Sequence, residues 1–288
     1  MFKAAFIGLG VMGYPMAGHC QKKGIEMTVY NRTAEKSSRW VEQYGGKNAA
    51  TPREAAAGAD FVLVCVGNDA DVRSVFDGED GLLAGLKPGA VVIDHTTTSA
   101  ELARELSTSV KAAAGEFIDA PVSGGQAGAE NGQLSIMAGG DANAFSKAEE
   151  VFRCYGKVWQ LLGAAGSGQT CKMVNQICIA GILQGLSEGL SLAMKSGLDI
   201  PTVQKVLAGG AAQSWQLENR ALTMAEDKYD FGFAVDWMVK DLGYCLDEAK
   251  NQGLDLPVAA LVKGFYEQLQ AQGFNRCDTS SLLRRLQS

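Results

Sequence analysis

Ala4-Ala5-Phe6-Ile7-Gly8-Leu9-Gly10-Val11-Met12-Gly13 decides the fold of this chain. Four apolar residues with strand character run straight into Gly-x-Gly-x-x-Gly, and helical periodicity follows from Met12 to Lys23. Strand, glycine turn and helix in register make a dinucleotide-binding unit; a glycine motif without that context would mean little. Gly8 permits the tight turn, Gly10 lets the backbone approach a diphosphate, and Gly13 lets helix and strand pack closely. Val11 and Met12 complete the turn, and the helix start offers N–H groups to phosphate.

Outward from that unit, strands are predicted at 4–7, 27–30, 61–66, 91–94, 117–119, 135–138 and 158–161. Helical stretches such as 12–23, 34–44 and 100–113 lie between them. This alternation predicts a parallel, doubly wound α/β sheet of Rossmann type. Near residue 165 the pattern changes. Residues 168–196 read as one helix, roughly 45 Å long at 1.5 Å per residue, with Gly181, Gly185 and Gly189 in a small-residue stripe and Gly197 as its stop. Helices follow at 201–207, 215–224, 235–251, 257–272 and 279–286. The expected organisation is a nucleotide-binding domain over 1–164 and an all-α domain over 165–288, joined by the long helix.

At 288 residues the chain can bury a large core. Its formal charge of −6 argues against a nucleic-acid partner. The N-terminus enters a strand at once and does not read as a signal peptide. No uninterrupted apolar run reaches the roughly 18 residues of a membrane span, so no membrane partner is expected. Seven cysteines without a Cys-x-x-Cys pair read as free thiols in a reducing cytoplasm. Only His19 and His95 are present, so no metal site is expected.

The end of the second strand discriminates between cofactors. NAD sites usually carry a carboxylate there for the ribose hydroxyls; here the chain reads Asn31-Arg32-Thr33. Arg32 can pair with a 2′-phosphate and Thr33 can donate to it. The expected cofactor is NADP(H), with NAD the alternative.

Asp119-Ala120-Pro121-Val122-Ser123-Gly124-Gly125 begins as strand and ends in a glycine turn. Ser123, Gly124 and Gly125 can present a hydroxyl and consecutive N–H groups to a carboxylate; a plain tight turn is the alternative. Gly166-Ser167-Gly168 opens the long helix and is expected to admit a ligand near its start. Lys172 and Asn175, three residues apart, share a face of that helix. A lysine so placed can give a proton to a forming alkoxide. Cys171 points about 100° away from Lys172 and has no histidine to activate it.

Four ordered motifs, Gly8–Gly13, Asp119–Gly125, Gly166–Asn175 and Lys240-Asp241-Leu242, resemble the β-hydroxyacid dehydrogenases, the 3-hydroxyisobutyrate dehydrogenase family, from Phe6 to about Leu286. The resemblance implies that Ser123, Gly124 and Gly125 hold the substrate carboxylate and that Lys172 and Asn175 are catalytic. It implies that Lys240 reaches the cofactor and that Asp241 and Phe233 line the substrate pocket. Val66, Gly67, Asp71 and Thr96 fall where the family wraps its cofactor. Asn-Arg-Thr at 31–33 is similar to the glyoxylate and succinic semialdehyde reductases. His19 stands where the family usually has Asn, and a packing effect alone is expected.

These readings imply an oxidoreductase moving hydride between NADP(H) and a small carboxylate-bearing aldehyde or hydroxy acid. The alternatives are an NAD-linked 3-hydroxyisobutyrate-type dehydrogenase, an imine reductase, which the Lys172/Asn175 pair disfavours, and a non-catalytic dinucleotide-binding scaffold, whose expected mark would be loss of Lys172. The apolar far half of the long helix, with Ile179, Ile182, Leu183, Leu186, Leu190 and Leu192, predicts a homodimer or homotetramer.

Overall fold

The computed structural model describes residues 2–287. The chain forms two compact units, and the division falls between Lys172 and Met173, inside one helix.

In chain order the first unit contains β1 (Lys3–Ile7), α1 (Gly13–Lys22), β2 (Glu26–Tyr30), α2 (Ala34–Tyr44), β3 (Lys47–Asn48), α3 (Pro52–Ala56) and β4 (Phe61–Val64). It continues through α4 (Asp69–Phe76), α5 (Leu82–Gly85), β5 (Val91–Asp94), α6 (Ala100–Ala112), β6 (Glu116–Asp119), β7 (Val122–Ser123) and α7 (Gly125–Glu130). It closes with β8 (Leu134–Gly140), α8 (Ala142–Tyr155), β9 (Gly156–Leu161) and the first turn of α9 (Ser167–Lys195). The strand order is β3-β2-β1-β4-β5-β6-β8-β7, with β9 on β8. Pairing is parallel from β3 to β6. The order reverses between β1 and β4, which makes the crevice at their carboxyl ends the binding position of such a sheet.

The sheet is not parallel throughout: β8 runs antiparallel to β6 and β7. A parallel return needs a crossover of roughly a dozen residues or more, and the link from Ser123 to Leu134, with α7 in it, is too short. Alternate residues feed opposite faces, as a strand's twofold period requires. Phe6, Leu63 and Ile93 join one buried cluster, while Ile7, Val62, Val64 and Val92 join the other. Burial on both faces explains why these strands read as continuous apolar runs.

The second unit contains the rest of α9, α10 (Ile200–Ala208), α11 (Trp215–Ala225), α12 (Val235–Asn251), α13 (Pro257–Ala271) and a closing helix at Thr279–Leu286. That last segment is 3₁₀, not the α-helix its periodicity predicts. Asp199 and Ser214 cap α10 and α11 through the amides of Thr202 and Leu217. Gly197, at φ +73°, ends α9 in the left-handed conformation, and Leu198 N donates to Ala193 O at 3.0 Å. Leu190, Ala193, Leu217, Ala221, Met224 and Leu283 form a core.

Helix α9 combines length with an apolar composition. By length and composition it is long and apolar enough to cross a membrane, with mean hydropathy 1.5 in its most apolar 18 residues. No single apolar run signals this, because polar residues interrupt the sequence while alanines and large aliphatic residues raise the mean. One third of that window is buried within the chain. Val174, Ile182 and Leu192 stand exposed, Leu192 at 70%.

Candidate active site

The turn after β1 has the geometry of a phosphate cradle. Gly8, at φ +100°, turns the chain, and a side chain on Gly13 would strike the Gly8 carbonyl. A Cβ on Gly10 would meet nothing within 4 Å. The first turn of α1 holds no acidic residue, and its N-cap position, Met12, supplies no side-chain cap. Helix-end amides, a positive dipole end and a backbone open to approach are what a diphosphate requires. Val11 beside them is half exposed, and Met12 is partly buried. The residues present therefore fit the pyrophosphate of a dinucleotide.

Asn31 secures this turn. Its Oδ1 accepts from Leu9 N at 2.9 Å, and its Nδ2 donates to Thr33 O at 3.0 Å. The side chain thus ties the turn after β1 to the turn after β2. Arg32 is exposed and pairs with Asp71 at 3.2 Å. Thr33 is the N-cap position of α2 but makes no side-chain cap bond. A second open helix start thus lies next to a guanidinium. Glu35 is the acidic residue in its first turn.

The loops after β4 and β5 are held by side chains. Asn68 caps α4 by accepting from Asp71 N at 2.9 Å, and Ser99 caps α6 by accepting from Leu102 N at 3.1 Å. Asp69 accepts from Ser99 N and from Ser99 Oγ, the latter at 2.6 Å. Thr96 is buried, and its hydroxyl accepts from Val66 N at 3.1 Å, joining the two loops; Gly67 follows Val66 in the first of them. The Thr96 amide donates to Asp94 Oδ1 at 2.9 Å. Burial pushes the Asp94 carboxyl up to about 7. His95 is buried too. A carbonyl can only accept, so Nδ1 carries the proton toward Ala120 O at 2.7 Å, and Nε2 accepts from Tyr155 Oη at 2.8 Å. Burial pushes His95 down to about 4, so the ring is neutral and structural.

Ser123 is half-buried at the end of β7, with Gly124 and Gly125 exposed beyond it. Gly124 (φ +132°) and Gly125 (φ +61°) hold positive-φ conformations that favour glycine. His19 does more than pack: its Nε2 lies 3.0 Å from Ala129 O and 3.1 Å from Glu130 O, tying α1 to the end of α7.

The start of α9 overturns one expectation. Gly166-Ser167-Gly168 admits the protein itself, not a ligand. A Cβ on Gly168 would collide with Met137 O and lie 2.8 Å from Asp119 Oδ2. Asp119, at the end of β6, is fully buried. Its Oδ1 accepts from Gly166 N at 2.8 Å and its Oδ2 from Gln169 N at 2.9 Å. Burial pushes its carboxyl up to about 6, against the pull of these amides and that of Gly168. Sequence reasoning passed over Asp119 and Gln169. The signal for the first was a carboxylate closing an otherwise apolar strand. Lys172 follows on the next turn and is 7% exposed. Burial pushes the neighbouring Cys171 thiol up, away from the reactive thiolate form.

In the second unit a buried polar chain runs from α9 to α12. Asn175 Nδ2 donates to Gln176 Oε1 at 2.7 Å, and Gln176 Nε2 donates to Asp241 Oδ2 at 2.6 Å. Lys240 Nζ lies 3.3 Å from Asp241 Oδ1 and near the rings of Trp237 and Tyr244. Gln176 was also missed; a glutamine one residue past Asn175 in an apolar helix was its signal. Phe233 is half-buried ahead of α12, and its carbonyl accepts from Thr279 N at 3.0 Å.

Comparison with known proteins matches this arrangement. Residues 3–174 match the NAD-binding domain of 6-phosphogluconate dehydrogenase, and residues 166–286 match the NAD-binding domain of NADP-dependent 3-hydroxyisobutyrate dehydrogenase. An uncharacterized oxidoreductase of Shewanella frigidimarina is 58% identical, over 100% of this chain and 99% of its own. The 2-hydroxy-3-oxopropionate reductase of Escherichia coli is 33% identical, over 99% and 97%. A solved 3-hydroxyisobutyrate dehydrogenase of Mycobacterium tuberculosis with L-serine superposes at TM-score 0.90 with 28% identity, covering 100% of both chains. The chain belongs to the 3-hydroxyisobutyrate dehydrogenase family and is an NAD(P)-dependent hydroxyacid oxidoreductase.

Proposed function

We propose that this protein reduces small aldehyde acids with NADPH, using Lys172 as the acid. The observation that carries the chemistry is a buried lysine on the turn after a firmly held helix start. When bound, the reduced nicotinamide supplies a hydride to the aldehyde carbon. The ammonium of Lys172 gives its proton to the carbonyl oxygen as charge develops there, and solvent restores it. Asn175, one turn on along α9, donates to the same oxygen or to a carboxylate. Ser123, Gly124 and Gly125 receive the substrate carboxylate. The fit of the E. coli relative's name, a reductase of an aldehyde acid, supports this class. Glyoxylate, succinic semialdehyde, methylmalonate semialdehyde and tartronate semialdehyde are its members of suitable size.

The NADPH half of the reading rests on Arg32 and the uncapped start of α2. A charge-assisted contact to a 2′-phosphate contributes roughly 1.5–3 kcal/mol, about ten- to a hundredfold in affinity. The four aldehydes, each assayed with NADPH and NADH, test both halves. NADPH should lead, and Arg32→Ala should erase the lead. Equal kcat/KM with the two cofactors in the wild type removes the preference, and leaves the NAD-linked dehydrogenase in its place.

The apolar residues left exposed on α9 support a homo-oligomer built through residues 165–288. Light scattering should give a dimer or tetramer; a single species near the 30.4 kDa chain mass contradicts it.

A further inference from the structure

We propose that Asp119 is a positioning residue: its carboxylate seats the first turn of α9, and Gln169 carries that seat to the Thr96–Thr98 loop, fixing where Lys172 stands. The inference rests on the reading of Lys172 as the acid.

An α-helix starts with amides that lack intrahelical partners, and the N-cap side chain normally accepts from one or two of them. At α9 the residue before Ser167 is Gly166, which has no side chain to offer. Asp119 takes the task from a different strand. Its two oxygens take the amides of Gly166 and Gln169, at 2.8 and 2.9 Å. The space is cut to the carboxylate: a Cβ on Gly139 would lie 2.7 Å from Oδ1, and one on Gly168 2.8 Å from Oδ2. The carboxylate therefore has little room to move, and neither does the helix start it holds.

Gln169 extends the hold. Its Oε1 accepts from Thr98 N at 3.1 Å, and its Nε2 donates to Thr96 O at 2.7 Å. Through Thr96 Oγ1 and Val66 N the same network reaches the loop after β4. These are the loops expected to wrap the cofactor. Lys172 is three residues beyond Gln169, so it moves with that turn. An ordinary cap would stabilise the helix and nothing more. A cap wired to the cofactor loops holds the lysine in register with them, and a displacement of about 1 Å at a reacting group can cost on the order of a hundredfold in rate.

Asp119→Asn tests this. Asn keeps one acceptor but turns an NH₂ toward amide donors. NADPH-binding sites are counted by fluorescence titration, and kcat is expressed per site. The expected result is a fall in kcat of about ten- to a hundredfold with the NADPH dissociation constant within about threefold of wild type. Hydrogen exchange of residues 167–170 should quicken. A kcat per site within about twofold of wild type overturns the positioning role. If Asp119→Asn does not fold, Gln169→Met keeps the cap and cuts the link to Thr96 and Thr98. A several-fold loss of kcat at nearly unchanged melting temperature supports the proposal, and an unchanged kcat overturns it. A wild type that turns over no aldehyde acid with either cofactor defeats the proposed function instead. Exchange at 167–170 then decides the cap alone, and unchanged exchange in Asp119→Asn overturns it.

Discussion

Two helices of this protein begin with the same kind of glycine motif and use it in opposite ways. At α1, Gly8-Leu9-Gly10 leaves open space beside Gly10, and the N-cap residue Met12 makes no side-chain cap bond. At α9, Gly166-Ser167-Gly168 is packed against Met137 and Asp119, and the helix start is taken by the protein's own carboxylate. Both ends carry the same partial positive charge. One is kept for a mobile anion; the other is met by a carboxylate of the fold itself and so can serve as a fixed platform. The lesson is that a helix N-terminus binds a ligand only where the fold withholds its own anion.

The sharpest test concerns what each platform carries. Lys172→Ala should lower kcat by a factor on the order of 10²–10⁴, the scale of lost acid–base catalysis. NADPH affinity, set at α1, should stay nearly constant in fluorescence titration. A loss of affinity as large as the loss of turnover would break the division of labour between the two ends.

A smaller effect separates the glycines themselves. Gly168→Ala puts a methyl group into the Met137 carbonyl and should cost about 1–3 kcal/mol or more, as overpacking does. Gly10→Ala meets no protein atom and should change stability by about 0.5 kcal/mol at most. Its effect should fall on NADPH affinity, by about tenfold. Thermal melts with and without NADPH read both. The comparison fails if Gly10→Ala melts lower than Gly168→Ala without cofactor.

The contrast also marks how far the sequence is legible. Periodicity finds α2 and α12 residue for residue, at Ala34–Tyr44 and Val235–Asn251, because each is amphipathic against a single core. It finds β1, β4 and β5 because burial on both faces leaves them largely apolar, and it has no signal for β3, two exposed polar residues. It gives no bounds to α7, six residues and most of them alanine or glycine, nor to α8, although the latter buries a regular face of Ala144, Ala148, Val151, Phe152 and Tyr155. It also misses the reversal at β8, which depends on the length of a link and not on strand composition. The residues at the α1 end are local in sequence and were legible. Asp119 and Gln169 act through contacts 47 to 73 positions away, and no local pattern records such a distance.

The smallest effect compares Asp119 with its register partner on β5, Asp94. Both carboxyls are pushed up by burial, to about 6 and about 7. Asp119 has amides on both oxygens, whereas Asp94 has Thr96 on Oδ1 and, among the described residues, no hydrogen bond to Oδ2. Oδ2 is thus the place for a proton. An acid whose folded pKa lies above its unfolded value near 3.8 stabilises the fold fully below about pH 4 and loses that contribution as pH rises through about 7. Asp94→Asn copies the protonated form and keeps the acceptor for Thr96 N. Its melting temperature should gain on the wild type between pH 4 and 7 and hold a constant lead above, worth at most a few kcal/mol. Asp119→Asn should show no such lead at pH 8, because its NH₂ must face one of the two amides from which the carboxylate accepts. Parallel pH profiles for wild type and Asp94→Asn would mean that Asp94 is ionised in the fold, and that the two carboxylates do the same work.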